Sequence, residues 1–306
     1  TKTNSLIYVK SDLELEMVNI FNLPNLNFKK IGYSPKLNIL NNIIPFFQKV
    51  YFLIDLIFLR KTKYLIFLDS SKSKIIYFIN FFFRQSIIIG SSKSINKSFN
   101  INLNLNENNH LSKNLLFFLP PDVKKIQQLF KIYDDYFLTK SQYGNYIVFA
   151  PGSGELEKHK RWPLEYYSNL ADFFLNIKIN IVIIGSINEK KLIHKIIKLS
   201  NNNKLFPFIS KNLHDSLDVF KQSKLIIGGD SGHLHLASIV NDNILALWGP
   251  TNKYKTGPIS NNINFIDLQL PCSPCYNKYR TGCGNNICMK NIKPNYVYKK
   301  IINILK

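Results

Sequence analysis

The residues best suited to chemistry in this 306-residue chain are carboxylates, a lysine and glycines that follow apolar runs typical of β-strands. The most informative motif is Gly-Gly-Asp-Ser-Gly at residues 228–232, which ends one such run and opens a helical pattern. In open α/β sheets, ligands bind at the carboxyl ends of the strands. We therefore expect the Asp230 carboxylate and the backbone N–H groups of Ser231 and Gly232 to face a ligand. The alternative, that Asp230 only caps the helix, leaves the glycines on both sides unexplained.

A second motif, Phe-Ala-Pro-Gly-Ser-Gly at residues 149–154, combines a strand end with a turn of small residues. Such a turn lets backbone N–H groups approach an anion closely. The loop that follows contains Lys160, so positive charge lies near Gly152 and Ser153 in the chain. This pattern suits a pyrophosphate, although an ordinary strand-to-helix turn has similar residues.

Two further strand ends contribute a carboxylate and a rigid loop. Glu189 follows the run Val-Ile-Ile-Gly at residues 182–185, where a carboxylate is able to accept hydrogen bonds from ribose hydroxyls. The alternative is a first-turn glutamate that stabilises the helix dipole. Pro250 and Thr251 follow another strand-like run, and a second Gly-Pro occurs at residues 257–258. A loop of this kind is suited to form one wall of a ligand pocket.

The elements that must position these residues alternate between short β-rich runs and longer amphipathic segments. We predict strands at residues 6–9, 64–68, 86–89, 146–150, 179–184, 204–208, 225–228 and 244–248. We predict helices at residues 122–133, 164–175, 190–199, 213–222 and 295–306, and an Asn-rich loop at residues 101–113. This alternation predicts parallel sheets joined by crossover helices.

Length and composition predict a globular protein of two α/β domains, because single cores stop growing near about 250 residues. Hydrophobic residues make up 45% of the chain and charged residues 19%, which excludes a disordered protein. The most apolar stretches, residues 43–59 and 75–83, are interrupted or short, whereas a membrane span needs about 20 apolar residues. The net charge of +21 accompanies no nucleic-acid-binding motif, so we expect no nucleic-acid partner. Without a signal-peptide pattern, we expect a cytoplasmic protein.

In this order and at these spacings, the motifs resemble the C-terminal half of the heptosyltransferases, the ADP-heptose:lipopolysaccharide enzymes of glycosyltransferase family 9. The shared elements are Pro-Gly at residues 151–152, Lys-Arg-Trp-Pro at 160–163, Asp-Ser-Gly-His-Leu-His at 230–235, Gly-Pro-Thr at 249–251, Thr-Gly-Pro at 256–258 and a cysteine cluster. The resemblance is strongest over residues 146–297. It implies the GT-B fold, in which two Rossmann-like domains with parallel sheets face each other across a cleft.

The resemblance implies an inverting glycosyltransferase that moves a heptose or similar sugar from an ADP-sugar to the inner core of lipopolysaccharide. It implies no required cofactor or metal. Lys160 would neutralise the diphosphate, Glu189 would bind the ribose and Asp230 would hold sugar hydroxyls. The residues expected to meet phosphate oxygens are Gly152, Ser153, Ser231 and Gly232. Those expected to support the site structurally are His235, Pro250 and Thr251.

The four cysteines, Cys272, Cys275, Cys283 and Cys288, lie in one short segment. Without a secretion signal, we expect reduced thiols or a metal site, not a disulfide framework. Their spacing is compatible with tetrahedral zinc. The resemblance favours the other interpretation, a loop of small buried thiols packed against the domain, so no metal is our prediction and zinc the alternative.

The first half of the chain departs from the family pattern, which places a catalytic aspartate in a Gly-Asp element after its first strand. No Gly-Asp occurs near the start of the chain, and Asp12 is the candidate base in a degenerate version of that element. In the alignment that we prefer, residues 6–9 match the family's second strand, and the base lies upstream of Thr1. A homologue that binds the nucleotide sugar but lacks a base is a further alternative.

The motifs and the resemblance together predict three segments. Residues 1–140 would form an acceptor-side Rossmann-like domain, which lacks its first strand in the preferred alignment, and residues 141–293 the nucleotide-sugar-binding domain. Residues 294–306 would form a basic amphipathic helix that crosses back to the first domain. Peripheral contact of this helix with an anionic inner membrane is the alternative, and it would suit the phosphorylated lipopolysaccharide core as acceptor.

Overall fold

A computed structural model describes residues 141–260, 262–275 and 285–306, together with the backbone of five strands nearer the N-terminus. The side chains of Glu155 and Leu156 are not part of this description. The chain divides into two compact units, Thr1–Ile126 and Gln127–Lys306. Asp12, Cys283 and the predicted helix at residues 122–133 lie outside the described residues.

The described strands of the first unit are short and pair in parallel. β1 (Ser5–Val9) pairs with β2 (Leu26–Lys30), and β3 (Tyr64–Ile66), β4 (Ile87–Gly90) and β5 (Ile101–Asn102) form a second set in that order. The predicted strands at residues 6–9, 64–68 and 86–89 are confirmed to within two residues. The prediction of a loop from residue 101 is wrong at its start, because β5 occupies Ile101–Asn102, and β2 was not predicted. Both have too few apolar residues to show a strand period.

The second unit is built on a six-stranded parallel sheet. Its strands are β6 (Tyr146–Ala150), β7 (Asn180–Ser186), β8 (Leu205–Ser210), β9 (Ile226–Gly229), β10 (Ile244–Trp248) and β11 (Ile263–Asp267). They lie in the order β11-β10-β9-β6-β7-β8. This is the Rossmann order, in which the chain reverses its direction of travel across the sheet between β6 and β9. Ligands of such sheets bind at that reversal, beyond the carboxyl ends of the two strands.

α-Helices connect the strands of this sheet or follow the last of them. They are α1 (Leu164–Asp172), α2 (Lys190–Leu199), α3 (Leu213–Lys221), α4 (Gly232–Val240), α5 (Lys253–Thr256), α6 (Ile287–Lys290) and α7 (Pro294–Leu305). The central strands β6, β9 and β10 are buried over their whole length, as expected when helices cover both faces of a parallel sheet. The predicted helix at residues 164–175 ends earlier, at Asp172, because the next backbone bonds are short-range turns such as Phe174 N–H to the Ala171 carbonyl.

The C-terminal helix α7 packs on α1 within the second unit. Val297 and Ile301 are fully buried, and the Tyr298 ring lies 5.2 Å from the rings of both Phe173 and Phe174. In the part of the chain that the structure describes, no helix has the length and apolar character that crossing a membrane requires.

Candidate functional site

The reversal of strand order brings two of the predicted motifs side by side. Ala150 at the end of β6 pairs with Gly228 in β9. The turn at residues 151–154 and the turn at residues 230–232 therefore leave the sheet at the same edge. Gly229 allows a close approach here, because a Cβ on it would lie only 3.1 Å from the Lys160 carbonyl oxygen. The backbone at Lys160 thereby packs over the end of β9.

Lys160 and Asp230 form the charged centre of this site. Lys160 Nζ lies 3.0 Å from Asp230 Oδ2 and 3.1 Å from Glu157 Oε1. The side chains of Lys160 and Asp230 are only 9% and 10% exposed. A buried ammonium between two carboxylates is held in place by charge-assisted hydrogen bonds, which are shorter and stronger than neutral ones.

The Asp230 carboxyl is kept ionised by its surroundings. Burial by itself would raise the pKa of Asp230, but the side chain of His235, the Lys160 ammonium and Thr251 together hold that pKa below its ordinary value. His235 Nε2 lies 3.7 Å from Asp230 Oδ1, on the side away from Lys160. Asp230 is therefore an anion with fixed orientation across the physiological pH range.

The first turn of α4 supplies the N–H groups that the sequence predicted. Ser231 is the residue that caps the helix, since its Oγ accepts a 3.4 Å hydrogen bond from Leu234 N–H. Asp230 is thus available for Lys160 and does not serve as the cap. Apart from its chain neighbours and the backbone of its own helix, no atom of the described region lies within 4 Å of the position that a Cβ on Gly232 would occupy. An anion could approach the positive end of α4 through this open side.

Glu189 lies beside the turn after β6 and has a structural role of its own. It forms a capping box with Ser186, in which Glu189 Oε2 accepts from Ser186 N–H at 2.9 Å and from Ser186 Oγ at 3.0 Å. Its Oε1 lies against Gly152, where a Cβ would collide with the carboxylate. The helix-end role weighed for this residue is therefore present, and the same carboxylate also faces the Pro-Gly turn.

Ser153 is held within its own loop by Arg161. Arg161 donates from Nε to Ser153 Oγ at 2.9 Å and from Nη2 to the Ser153 carbonyl at 2.8 Å. The Ser153 hydroxyl itself donates to the Glu157 carbonyl at 3.0 Å. The hydroxyl would have to give up this bond to donate to a phosphate. The sequence pointed to a basic loop, but nothing in it revealed this clamp.

Pro250 and Thr251 belong to the loop that follows β10. Thr251 is buried and contributes to the low pKa of Asp230, and its carbonyl accepts from Trp248 Nε1 at 2.9 Å. The Pro250 carbonyl accepts from Cys275 N–H at 3.0 Å. The cysteine segment thus supports the loop that contacts the charged pair.

Three of the cysteines differ in exposure: Cys272 is exposed, Cys275 is half-buried and Cys288 is buried. Among the described residues, no three or more His, Cys, Asp and Glu side chains lie close enough together to bind a metal ion. Since Cys283 lies outside that set, the choice between a zinc site and packed thiols stays a prediction.

A cavity of about 530 Å³ lies between α3, β8 and the segment before β6. Its lining includes Tyr143, Phe208 and Asp218. None of the predicted site residues lines this cavity. The structure thus brings together Gly152 with Glu189, and Lys160 with Asp230, His235 and Thr251.

Solved structures share this architecture. A heptosyltransferase II structure from E. coli, described as an ADP-heptose lipopolysaccharide heptosyltransferase, aligns with a TM-score of 0.63 at 15% identity over 98% of both chains. A family 9 glycosyl transferase from Veillonella parvula aligns with a TM-score of 0.63 at 17% identity, over 98% of this chain and 96% of that one. The fold is therefore the parallel α/β fold of the GT-B heptosyltransferases.

Comparison of the sequence with family models shows the family to which the chain belongs. The family model for glycosyltransferase family 9 (heptosyltransferase) matches residues 96–282, more than half of the chain. The protein belongs to this family of glycosyltransferases, as the motifs predicted.

Curated relatives carry heptosyltransferase names. Lipooligosaccharide heptosyltransferase 2 of Campylobacter jejuni is 30% identical over 152 residues, which are 48% of this chain and 47% of the relative. Lipopolysaccharide heptosyltransferase 2 of Escherichia coli is 29% identical over 140 residues, which are 44% of this chain and 39% of the relative. The chain thus spans less than half the length of the curated relatives that it matches.

Proposed function

We propose that the second unit binds an ADP-sugar, and that the protein transfers heptose or a similar sugar from it to the inner core of lipopolysaccharide. The observation that carries the proposal is the buried Lys160–Asp230 pair at the carboxyl edge of β6 and β9. This edge is where parallel α/β sheets bind nucleotides. The names of the curated relatives support the choice of sugar and acceptor.

The proposed chemistry depends on stabilising the leaving group. When the bond between the sugar and the diphosphate breaks, negative charge accumulates on the departing phosphate. The Lys160 ammonium and the amides at the start of α4 are fixed donors that would stabilise this charge without reorganising. Asp230 would accept hydrogen bonds from sugar hydroxyls, and Glu189 from the ribose. No metal is needed for this mechanism, and the outcome at the sugar would be inversion.

A direct test measures binding by calorimetry. Lys160→Ala should weaken the binding of both ADP and ADP-heptose, because it removes the cation for the diphosphate. Asp230→Ala should weaken ADP-heptose more than ADP, because Asp230 contacts the sugar. Lys195→Ala is the matched control, since Lys195 pairs with Glu165 on an exposed surface. If both site variants bind like the wild type, the site assignment is wrong.

A donor-binding homologue without turnover is a second candidate. The family match begins at residue 96 and so does not include the region of Asp12, the candidate base. Asp12→Asn tests the base assignment in a transfer assay with heptose-free lipopolysaccharide as acceptor. Loss of transfer with unchanged ADP-heptose binding would support Asp12, whereas full transfer would exclude it. Binding without transfer by the wild type would favour the second candidate.

The surroundings of the acceptor belong to the same proposal. We expect the protein to act at the cytoplasmic face of the inner membrane, where its positive charge of +21 favours contact with anionic lipid and a phosphorylated core. Sedimentation with vesicles that contain anionic lipid tests this contact. Binding should weaken as salt is raised, since the attraction is electrostatic.

A further inference from the structure

We propose that His233 is a positioning residue for the Glu189 carboxylate. Oriented in this way, Glu189 accepts a hydrogen bond from one of the two ribose hydroxyls. The inference rests on the proposed binding of an ADP-sugar to this unit. It concerns a residue that the sequence motif contains but that none of the roles described so far uses. His233 is the second residue of α4 and follows directly after the predicted phosphate-binding amides of Ser231 and Gly232.

Glu189 is restrained on one of its two carboxylate oxygens. Oε2 accepts from the N–H and the hydroxyl of Ser186, and His233 Nδ1 faces the same oxygen at 3.9 Å. That distance is longer than an ordinary N–H···O hydrogen bond of about 2.9 Å. His233 therefore acts as an orienting dipole and as a wall, not as a full hydrogen-bond partner. Ser186 thus fixes the position of Oε2, and the imidazole of His233 limits how far the carboxylate is able to turn about that oxygen.

The second oxygen is the one that a ligand is able to use. Oε1 lies against Gly152, in the turn that follows β6. In the described part of the chain, it accepts no hydrogen bond from a side chain or backbone group. Because Oε2 already accepts two bonds, the carboxylate is poorly placed to bind both ribose hydroxyls equally. We therefore expect Oε1 to accept from a single hydroxyl.

His233 is itself held in place. Its ring meets the ring of Phe220 edge-on at 6.3 Å, and Phe220 is fully buried. Its side chain is 19% exposed, so the imidazole borders the open edge of the sheet. Burial lowers the pKa of His233 below its ordinary value, against the opposing effect of Glu189. The imidazole is consequently neutral near pH 7, and it orients Glu189 without cancelling its charge.

The test compares ADP, 2′-deoxy-ADP and 3′-deoxy-ADP by calorimetry on the full chain. Loss of a hydrogen bond to a charged acceptor weakens binding by about tenfold or more. For the wild type we expect one deoxy analogue to bind about tenfold more weakly than ADP, and the other within about threefold. In His233→Leu this difference should fall below about threefold, because ADP loses affinity and the weak analogue does not.

Two polar variants separate positioning from simple loss of packing. The amide of Asn reaches about as far as Nδ1, whereas the amide of Gln reaches about as far as the distant ring nitrogen. We expect His233→Asn to keep the discrimination between analogues and His233→Gln to lose it. His194→Leu, on the exposed side of α2, is the control and should behave like the wild type. Should His233→Leu fail to fold, the Asn and Gln pair still decides the question.

The outcomes distinguish this inference from the function on which it rests. Wild-type protein that binds no ADP overturns both. Wild-type protein that binds ADP and discriminates between the analogues, with the same ratio in His233→Leu or His233→Gln, overturns only the role of His233. Equal binding of all three nucleotides by the wild type overturns the proposal that Glu189 recognises a single ribose hydroxyl.

Discussion

The sharpest consequence of the site geometry concerns the removal of the Lys160 charge by Lys160→Met, which keeps most of the side-chain volume. The ammonium lies 3.0 Å from Asp230 in a pair that is about nine-tenths buried on both sides. Removing one member of a buried pair costs about 3–5 kcal/mol, because the other charge stays buried without a partner. His235 Nε2 still lies 3.7 Å from Asp230 Oδ1, so we expect a loss near the lower end, about 3 kcal/mol.

The same change should weaken nucleotide binding. A hydrogen bond to a charged group contributes about 1.5–3 kcal/mol, which is roughly a 10- to 150-fold change in affinity. Because Lys160 also pairs with Glu157 and Asp230 before the ligand arrives, the net gain from the diphosphate is smaller. We therefore expect ADP to bind about tenfold more weakly.

Urea denaturation measures the first effect and calorimetry with ADP the second. The double variant Lys160→Met/Asp230→Asn should recover most of the lost stability, since it removes the buried Asp230 charge, and the Glu157 carboxylate that Lys160 also contacts is one-third exposed to water. Lys195→Met is the control, because the exposed Lys195–Glu165 pair is worth about 0.5 kcal/mol or less. Two results would refute the reasoning. One is a double variant no more stable than Lys160→Met, and the other is ADP affinity within about threefold of wild type.

Two further perturbations test other parts of the site. Gly152→Ala places a methyl group on the Glu189 carboxylate, so ADP affinity should fall by about tenfold as Glu189 is displaced. Gly154→Ala is the control, because its Cβ meets only an ordinary 3.4 Å contact; equal effects of both variants would count against the clash. The lowered pKa of His233 predicts a pH effect on stability. As pH falls below about 6.5, the unfolded chain takes up a proton on this histidine and the folded chain does not. The free energy of unfolding therefore decreases as pH falls toward the lowered pKa, by at most about 1.4 kcal/mol per pH unit. Melting temperatures between pH 7.5 and 5 should thus vary less in His233→Asn than in wild type. An equal slope of melting temperature against pH in the two proteins would show that His233 does not cause the effect.

The parts of the fold that the sequence predicted well are those with a local signal. The strands at Tyr146–Ala150 and Ile244–Trp248 and the helix at Lys190–Leu199 have the predicted bounds, because long apolar runs or a clear helical period mark them. β11 at Ile263–Asp267 was missed, because it is an edge strand with only its fourth residue buried. A strand that contacts the sheet on one edge needs few apolar residues and so gives a weak pattern.

In the site, too, the features with a local sequence signal were predictable and the others were not. A Ser-x-x-Glu spacing at Ser186 and Glu189 is a local signature of a capping box, so the structural role of Glu189 was readable in the sequence. The clamp from Arg161 to Ser153 and the contact of His233 with Glu189 were not readable. Both depend on which loops meet in three dimensions, and residues 189 and 233 are brought together only by the order of the strands.

The motif Gly-Gly-Asp-Ser-Gly shows how much of this geometry small residues decide. A Cβ on Gly228 would lie 2.8 Å from the Ala150 carbonyl, and one on Gly229 would crowd the Lys160 carbonyl. Ser231 caps α4, which leaves Asp230 to pair with Lys160. The open side of Gly232 keeps the helix end accessible. An alanine at either of the first two positions would push apart the strands or the loop that carries Lys160. The charged pair therefore depends on glycines that contact no charge themselves, and this accounts for the flanking glycines that helix capping alone left unexplained.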